Sequence, residues 1–239
     1  MGKYIIAGLK TEFDVRYDVL RGRVKDYEAD FDSSETDIKI ELSDEYLSKK
    51  KEEIPQMSIA NHEYFWTGNA FNIRLMDYNG IMLHSSCVEK DGYAYLFSAD
   101  SGTGKSTHTH LWLKNIPGTR IINDDKPALI KENDVWYACG TPFSGKTDEN
   151  LNVKVPVRAI TFIKRGTENR VSKMPVEEAI KLLFGQTIRS AYEDRAFKSL
   201  EAVDSLLRSV PVFSLECNMD DDAAITSYNG IERLIKNED

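Results

Sequence analysis

The chain is poor in cysteine and in net positive charge, and it has no long apolar run. Its three cysteines (Cys87, Cys139, Cys217) are odd in number and scattered, with no C-x-x-C spacing. That leaves no disulfide framework to read, and reduced thiols packed as small hydrophobes are the expectation. No uncharged apolar stretch approaches the roughly 20 residues that span a bilayer. The apolar part of the N-terminus is too short for a signal peptide and reads as a strand. A cytoplasmic protein with no membrane partner follows. Lys and Arg number 31 against 39 Asp and Glu, a net charge of −8. A general nucleic-acid binder needs a basic surface, so composition argues against that class while leaving room for a local basic pocket.

What is present is ordinary for a globular protein: 41% hydrophobic and 29% charged residues. With no repeat, low-complexity tract or linker, one α/β domain is the economical organisation. A small N-terminal β-rich part over residues 1–57 is expected to pack on a core of residues 58–239. Strands are predicted over residues 3–9 and Asp37–Leu42, and a helix over Asp44–Glu53 capped by Ser43 and stopped by Pro55. Residues 59–76 predict a helix interrupted or kinked near Gly68. Ile81–Val88 and Tyr93–Phe97 predict a hairpin turning at Asp91-Gly92. A helix over Lys105–Lys114 and a strand over Arg120–Asn123 come next, then a strand pair, Pro127–Lys131 and Val135–Cys139. The remainder reads as a strand over Val157–Ile163, helices over Pro175–Gln186 and 196–209, a strand over Val212–Glu216 and a closing helix, Asp221–Lys236.

Two stretches compete as a phosphate-binding loop. Strand Tyr93–Phe97 empties into Ser101-Gly102-Thr103-Gly104-Lys105-Ser106-Thr107, and a helix-compatible stretch follows. Glycines there let successive amides turn inward around an anion, Lys105 can reach the terminal phosphates, and the Ser106 hydroxyl can ligate magnesium. The pattern G-x-x-x-x-G-K-[ST] wants glycine at position 99, where this chain has Ala99. A literal match stands at Gly140-Thr-Pro-Phe-Ser-Gly145-Lys146-Thr147. Its downstream residues alternate like a strand, so the helix dipole and orphan amides are missing, and Pro142 removes one N–H. Context therefore favours 101–107 as the nucleotide site. The 140–147 stretch is left as either an exposed turn or an accessory clamp carrying Ser144, Lys146 and Thr147.

Asp124-Asp125 ends an apolar strand one helix and one strand after the first loop, where a phosphate-binding fold places a magnesium-facing carboxylate. In extended backbone the two side chains point apart, so one can hold metal while the other deprotonates a hydroxyl. A turn-forming pair before Lys126-Pro127 is the plain alternative. His84, on the predicted strand beside the loop strand, reads by itself as a satisfied structural group. His108 and His110 are expected at the surface or behind the site.

Taken together, His84-Ser-Ser, the Asp91-Gly92 hairpin, Ser101-Gly-Thr-Gly-Lys105-Ser and Asn123-Asp124-Asp125 resemble the core of the HPr kinase/phosphorylase and phosphoenolpyruvate carboxykinase superfamily. Its members carry these features in this order, and the resemblance covers Met82–Asp125. It implies an α/β fold with a mixed-sheet P-loop kinase core, with ATP and Mg2+ as cofactors. Lys105 would contact phosphates, Ser106 and Asp125 would hold the metal, Asp124 would be the general base, and His84 would lie near the metal or the transferred phosphate. The chain departs from the pattern at Ala99, lacks the Glu-Ile-Arg-Gly signature of HPr kinases, and is short for a carboxykinase. An ATP-dependent transfer to a hydroxyl, on a serine of a protein or peptide or on a small compound, is the expected activity. A nucleotide sensor or an ATPase without transfer is the alternative. Lys146, Arg158 and Arg189 are the candidates for a further cationic clamp, and a homo-oligomer is compatible with all of this.

Overall fold

In a computed structural model, residues 1–187 and 193–237 are described; Arg189, one of the clamp candidates, lies outside them. In chain order the elements are β1 (Gly2–Ile6), β2 (Leu9–Phe13), α1 (Asp18–Arg23), β3 (Ile38–Ile40), α2 (Asp44–Glu53), α3 (Ile59–Leu75), β4 (Gly80–Met82), β5 (Ser86–Lys90) and β6 (Tyr93–Ser98). They continue as α4 (Lys105–Asn115), β7 (Arg120–Asn123), β8 (Ala128–Glu132), β9 (Val135–Cys139), β10 (Lys154–Arg165), β11 (Arg170–Lys173), α5 (Val176–Gln186), α6 (Glu193–Ser209), β12 (Val212–Cys217) and α7 (Asp222–Lys236). The class is α/β with mixed sheets.

Local chemistry accounts for many of the boundaries. Ser43 Oγ accepts from the Tyr46 amide at the start of α2, a capping bond worth about 1 kcal/mol. Asp91 and Gly92 both take positive φ, +52° and +80°, the twist that a two-residue hairpin between right-handed strands needs. Two expectations are corrected. α3 runs unbroken through Gly68, whose missing Cβ would lie 2.8 Å from the Phe143 ring; the glycine allows close packing and makes no kink. Ile81–Val88 is not one strand but two, β4 and β5, with Leu83-His84-Ser85 between them. β4 pairs with β8, whereas β5 pairs with β6 and β7, so the chain changes neighbours at His84.

The large sheet runs β4-β8-β9-β10-β6-β5-β7, with β12 beside β10 and β11 beside β12. β10 joins its two halves: Lys154–Pro156 pair antiparallel with β9, residues 157–162 pair parallel with β6, and residues 160–165 pair parallel with β12. A register shift between Val157 and Ala159 marks the change of neighbour, as a bulge does when a strand must bend. Alternation along β6 feeds both faces. Ala94 and Leu96 pack with Leu183, Val203 and Leu206 of α5 and α6. Tyr95 and Phe97 pack with Trp112 of α4 and with Ala223 and Ile231 of α7. Trp112 is fully buried, and truncating such a side chain to alanine costs about 3–5 kcal/mol. The small β1-β2-β3 sheet shares a third core with α3, β8 and β9, through Phe13, Ile38, Phe71, Ala128 and Phe143.

This topology sets what lies at each end of the sheet. β5 is antiparallel to both β6 and β7, and β10 is parallel to β6 along their shared stretch. The C-terminal ends of β6, β7 and β10 and the start of β5 therefore lie at one end. The 101–107 loop, Asp124, Arg165 and His84 are delivered there together.

Candidate active site

The first loop has the backbone geometry of an anion cradle. Gly102 and Gly104 have φ of +79° and +124°, conformations open to glycine and costly for other residues. A Cβ at either would meet nothing within 4 Å, so the requirement is conformational rather than steric. Gly104 is the N-cap of α4, which begins at Lys105, and the unpaired amides of the first helical turn face the loop. Ala99 stands where the pattern wants glycine, and it is buried within the core against the sheet.

Lys105 is folded back into the loop, only 8% exposed, and its Nζ donates to the Ala99 carbonyl at 3.0 Å. Burial lowers its pKa, while the charges of Asp125, Asp124 and Asp100 pull it back up. The lysine and the acidic pair thus share one electrostatic neighbourhood. Arg165, at the end of β10, adds a second cation: it donates to the carbonyls of Thr103 (3.1 Å) and Gly102 (2.5 Å).

The acidic pair divides as alternation predicts. Asp124 is 6% exposed, and its two oxygens accept from Ser86 Oγ (2.5 Å) and Thr147 Oγ1 (3.0 Å). Asp125 turns the other way, with Oδ1 at 3.4 Å from His84 Nε2 and Oδ2 at 3.3 Å from Lys126 Nζ. Burial opposes ionisation of Asp125, but the His84 and Lys126 interactions outweigh it and hold the carboxyl below its usual range. Asn123 braces the turn, its side-chain oxygen accepting from the amides of Asp125 (3.0 Å) and Lys126 (2.7 Å).

His84 is held from its other nitrogen. Nδ1 and Gln186 Oε1 lie 2.8 Å apart, and Gln186 Nε2 donates to Asp100 Oδ1 at 3.3 Å. Because the amide nitrogen faces a carboxylate, its oxygen faces the imidazole, so Nδ1 is the donor in that bond, and Nε2 donates to Asp125 only when the ring carries both protons. The glutamine at the end of α5 thereby ties His84 to the first loop.

The second loop is not a second cradle. Gly145 has φ +71°, but no helix follows, and its amide donates to Tyr64 OH at 3.0 Å. It lies against the acidic pair: a Cβ at Gly145 would come within 2.7 Å of the Asp125 Cβ. The backbone joins in too, as the Asp124 amide donates to the Glu149 carbonyl at 3.1 Å. Arg23, from the N-terminal part, donates to Tyr64 OH (3.1 Å) and Ser144 Oγ (3.4 Å). Tyr27 OH donates to Asn150 Oδ1 at 2.7 Å. Lys146 is exposed at the tip of this turn.

The structure thus brings together Gly102, Thr103, Gly104, Lys105, Asp124, Asp125 and His84, with Ser101, Ser106 and Thr107 on the same loop and first helical turn. Arg158 is not part of that group. It opens the parallel stretch of β10 and pairs with Glu232 through Nε and Nη2, both at 3.0 Å. It therefore sits beside the start of β6, at the opposite end of the sheet. His108 is not at the surface: it is buried against Trp112 and Ser227, and burial pulls its pKa down to about 4. His110 is exposed; it contacts the Ser106 carbonyl (2.6 Å) and Glu149 (3.2 Å). Sequence reasoning missed Arg165, Gln186 and Tyr64. Ser86, within His84-Ser-Ser, and Thr147, in the second loop, stood in motifs already singled out, but their shared role as donors to Asp124 was not legible there. All three cysteines are buried, and burial raises each thiol pKa, to about 12 for Cys139 and about 11 for Cys217.

A cavity of about 340 Å3 flanks the cradle, walled by Thr103, Gly104, Thr107, Leu111, Ile163 and Met219. A larger one, about 600 Å3 between the β8–β9 turn and α6, contains none of these site residues. No described helix is long and apolar enough to cross a membrane.

No family model matches the chain, and no curated protein matches it. Among solved structures the chain is similar to the Hpr(Ser) kinase/phosphatase from Coxiella burnetii, at 11% identity over 66% of this chain and 99% of that one, with a TM-score of 0.38.

Proposed function

We propose that the chain is a phosphotransferase of the P-loop kinase kind, moving the terminal phosphoryl group of magnesium–ATP to a hydroxyl, foremost a serine of a protein or peptide. The observation that carries this reading is the convergence at one sheet end of a positive-φ glycine cradle, a buried Lys105 and the Asp124-Asp125 pair. A helix N-terminus with inward amides binds phosphate without needing a base nearby. An acidic pair with divided environments beside it is what transfer requires.

The residues divide the work. The amides of Gly102, Gly104 and Lys105 and the Lys105 ammonium neutralise and orient the phosphates, while the Thr103 amide closes the turn on the Asp100 carbonyl. Arg165 holds the outer turn of the loop through two of its carbonyls. Ser106 and Asp125 offer the oxygen donors that suit magnesium, which binds few protein ligands beside phosphate and water. Bound there, the ion supplies charge neutralisation to the phosphates. Among the described residues no group of three or more His, Cys, Asp or Glu side chains gathers as a metal cage, and an ion shared with phosphates does not require one. His84 and Lys126 keep Asp125 ionised. Asp124 accepts only one hydroxyl on each oxygen, so lone pairs remain for an acceptor O–H. It takes that proton while the acceptor oxygen bonds to phosphorus and the bridging P–O bond to the diphosphate breaks. The 340 Å3 cavity has room for the nucleoside.

The test uses γ-labelled ATP with serine-containing protein and peptide acceptors. Asp124→Asn is expected to keep ATP affinity and to lower transfer by about 10^2- to 10^4-fold, the usual range for losing a general base. Equal loss of binding and transfer would move Asp124 to the metal. ATP binding with no transfer to any hydroxyl would replace the reading by a nucleotide sensor, and phosphate release without acceptor by an ATPase.

A further inference from the structure

Beside the acidic pair a slot of about 90 Å3 opens between α3 and the second loop, lined by Tyr64, Phe65, Gly68, Asn69, Lys126 and Phe143. Its wall is continuous with the site. Lys126 Nζ is 3.3 Å from Asp125, Tyr64 OH receives the Gly145 amide, and Gly145 itself abuts Asp125. The slot exists because α3 carries glycine at its contact with Phe143, where a Cβ would lie 2.8 Å from the ring.

We infer that this slot seats an aliphatic side chain of the acceptor, one or two residues from the hydroxyl that receives phosphate, and that Phe65, Gly68 and Phe143 set this specificity. The inference rests on the phosphotransferase reading and adds to it the kind of acceptor. Three observations select the occupant. The lining is mostly aromatic and glycine; of its polar groups Lys126 is engaged by Asp125 and Tyr64 OH by the Gly145 amide and Arg23, which leaves Asn69, so a polyol or a sugar finds few free partners. The volume is below the roughly 150 Å3 in which an apolar protein cavity takes up benzene, so a short branched chain fills the slot and an indole exceeds it. Phe65 is 43% exposed at the rim with the Lys126 ammonium 5.8 Å from its ring centre. An exposed aromatic next to a reaction centre is a surface that an incoming chain can cover. An extended peptide sends alternate side chains to the same face and adjacent ones to opposite faces. A residue near the acceptor serine can therefore enter the slot while the serine faces Asp124.

The experiment measures two things on one set of serine peptides, each carrying Val, Leu, Asp, Trp or Ala at a single flanking position. One is equilibrium binding by fluorescence polarisation with a non-hydrolysable ATP analogue present; the other is phosphate transfer from γ-labelled ATP. Binding at one flanking position is expected to favour Val or Leu over Asp and Trp by tenfold or more. Phe65→Ala and Asn69→Trp, which open and fill the slot, are expected to flatten that preference, with ATP affinity read in parallel as the check that each variant is folded. Transfer that shows no flanking preference, or a preference that survives both variants, overturns the slot and leaves the kinase reading standing. A binding preference with no transfer to any peptide overturns the serine-peptide acceptor, and with it the assignment of the slot, and leaves transfer to a small hydroxyl compound as the reading of the site. Neither binding preference nor transfer overturns both the slot and the peptide acceptor.

Discussion

The two glycine-lysine loops, 101–107 and 140–147, differ in structure in inverse proportion to how well their letters match. The first lacks the leading glycine yet has Gly102 and Gly104 at positive φ, a helix starting at Lys105, and that lysine buried. The second matches every position of the pattern but ends in a turn with Lys146 exposed. Gly140 is there because a Cβ would sit 1.8 Å from the Leu151 carbonyl oxygen, and Gly145 because it abuts Asp125. Identical residue types serve conformation in one loop and close packing in the other. A phosphate loop is defined by where its amides point, which depends on the helix that follows.

The largest effect that separates the loops is on nucleotide affinity. Lys105→Ala removes a buried charge from the cradle and is expected to weaken ATP binding by about 30- to 1000-fold, the range for truncating one side of a desolvated charge pair. Lys146→Ala is expected to stay within about fivefold, as for an exposed charge. Isothermal titration of both variants makes the comparison, and the reverse ranking would exchange the roles of the loops.

Next in size is a difference in acid and alkaline behaviour between neighbouring histidines of α4. His108 is buried, with its pKa pulled down to about 4, so the unfolded chain takes up its proton first as pH falls. Stability tied to His108 is present above pH 6.5 and is lost towards pH 4, about 3 kcal/mol at 1.36 kcal/mol per unit. Urea titrations over that range should show this loss in the parent and not in His108→Gln. His110 has its pKa raised, chiefly by the Ser106 carbonyl and then by Glu149. Its contribution is therefore present below pH 6.5 and lost as pH rises through the folded value. Its side chain is about half exposed, so the effect is on the order of 0.5 kcal/mol or less, read as faster proteolysis of the 146–150 turn at alkaline pH.

Smallest are the glycine substitutions, which sharpen the contrast between conformation and packing. Gly102→Ala meets open space and should cost only the left-handed penalty, about 1–2 kcal/mol. Gly145→Ala carries the same penalty and also drives a methyl into Asp125. Its distinguishing readout is a weakened magnesium dependence of ATP binding, which Gly102→Ala should not show.

Much of this site could be read in the sequence because its pieces are local. The order His84, hairpin, cradle and Asp pair lies within Met82–Asp125, and each piece is recognised within a few residues. The misreadings have a common cause. Ile81–Val88 has the apolar pattern of one strand, but the change of neighbours at His84 depends on β8, far along the chain. Gly68 reads as a helix breaker until Phe143 is placed against it. Arg158 and Arg165 are equivalent as letters seven residues apart; the direction of β10 sends one to Glu232 and the other to the cradle. β11, the short polar Arg170–Lys173, has no periodicity to reveal it and forms only because β12 offers a partner edge.

Local sequence alone determined the capped helix at Ser43, the Asp91-Gly92 hairpin and the conformation of the cradle, because caps, two-residue turns and glycine φ values depend on adjacent atoms. The assembled sheet alone decided that the literal phosphate-loop match lies against the Asp pair, that Tyr64 and Arg23 hold it there, and that an apolar slot opens next to Asp125. Those contacts join residues from tens of positions to well over a hundred apart, and strand order, which no local spacing encodes, brings them together.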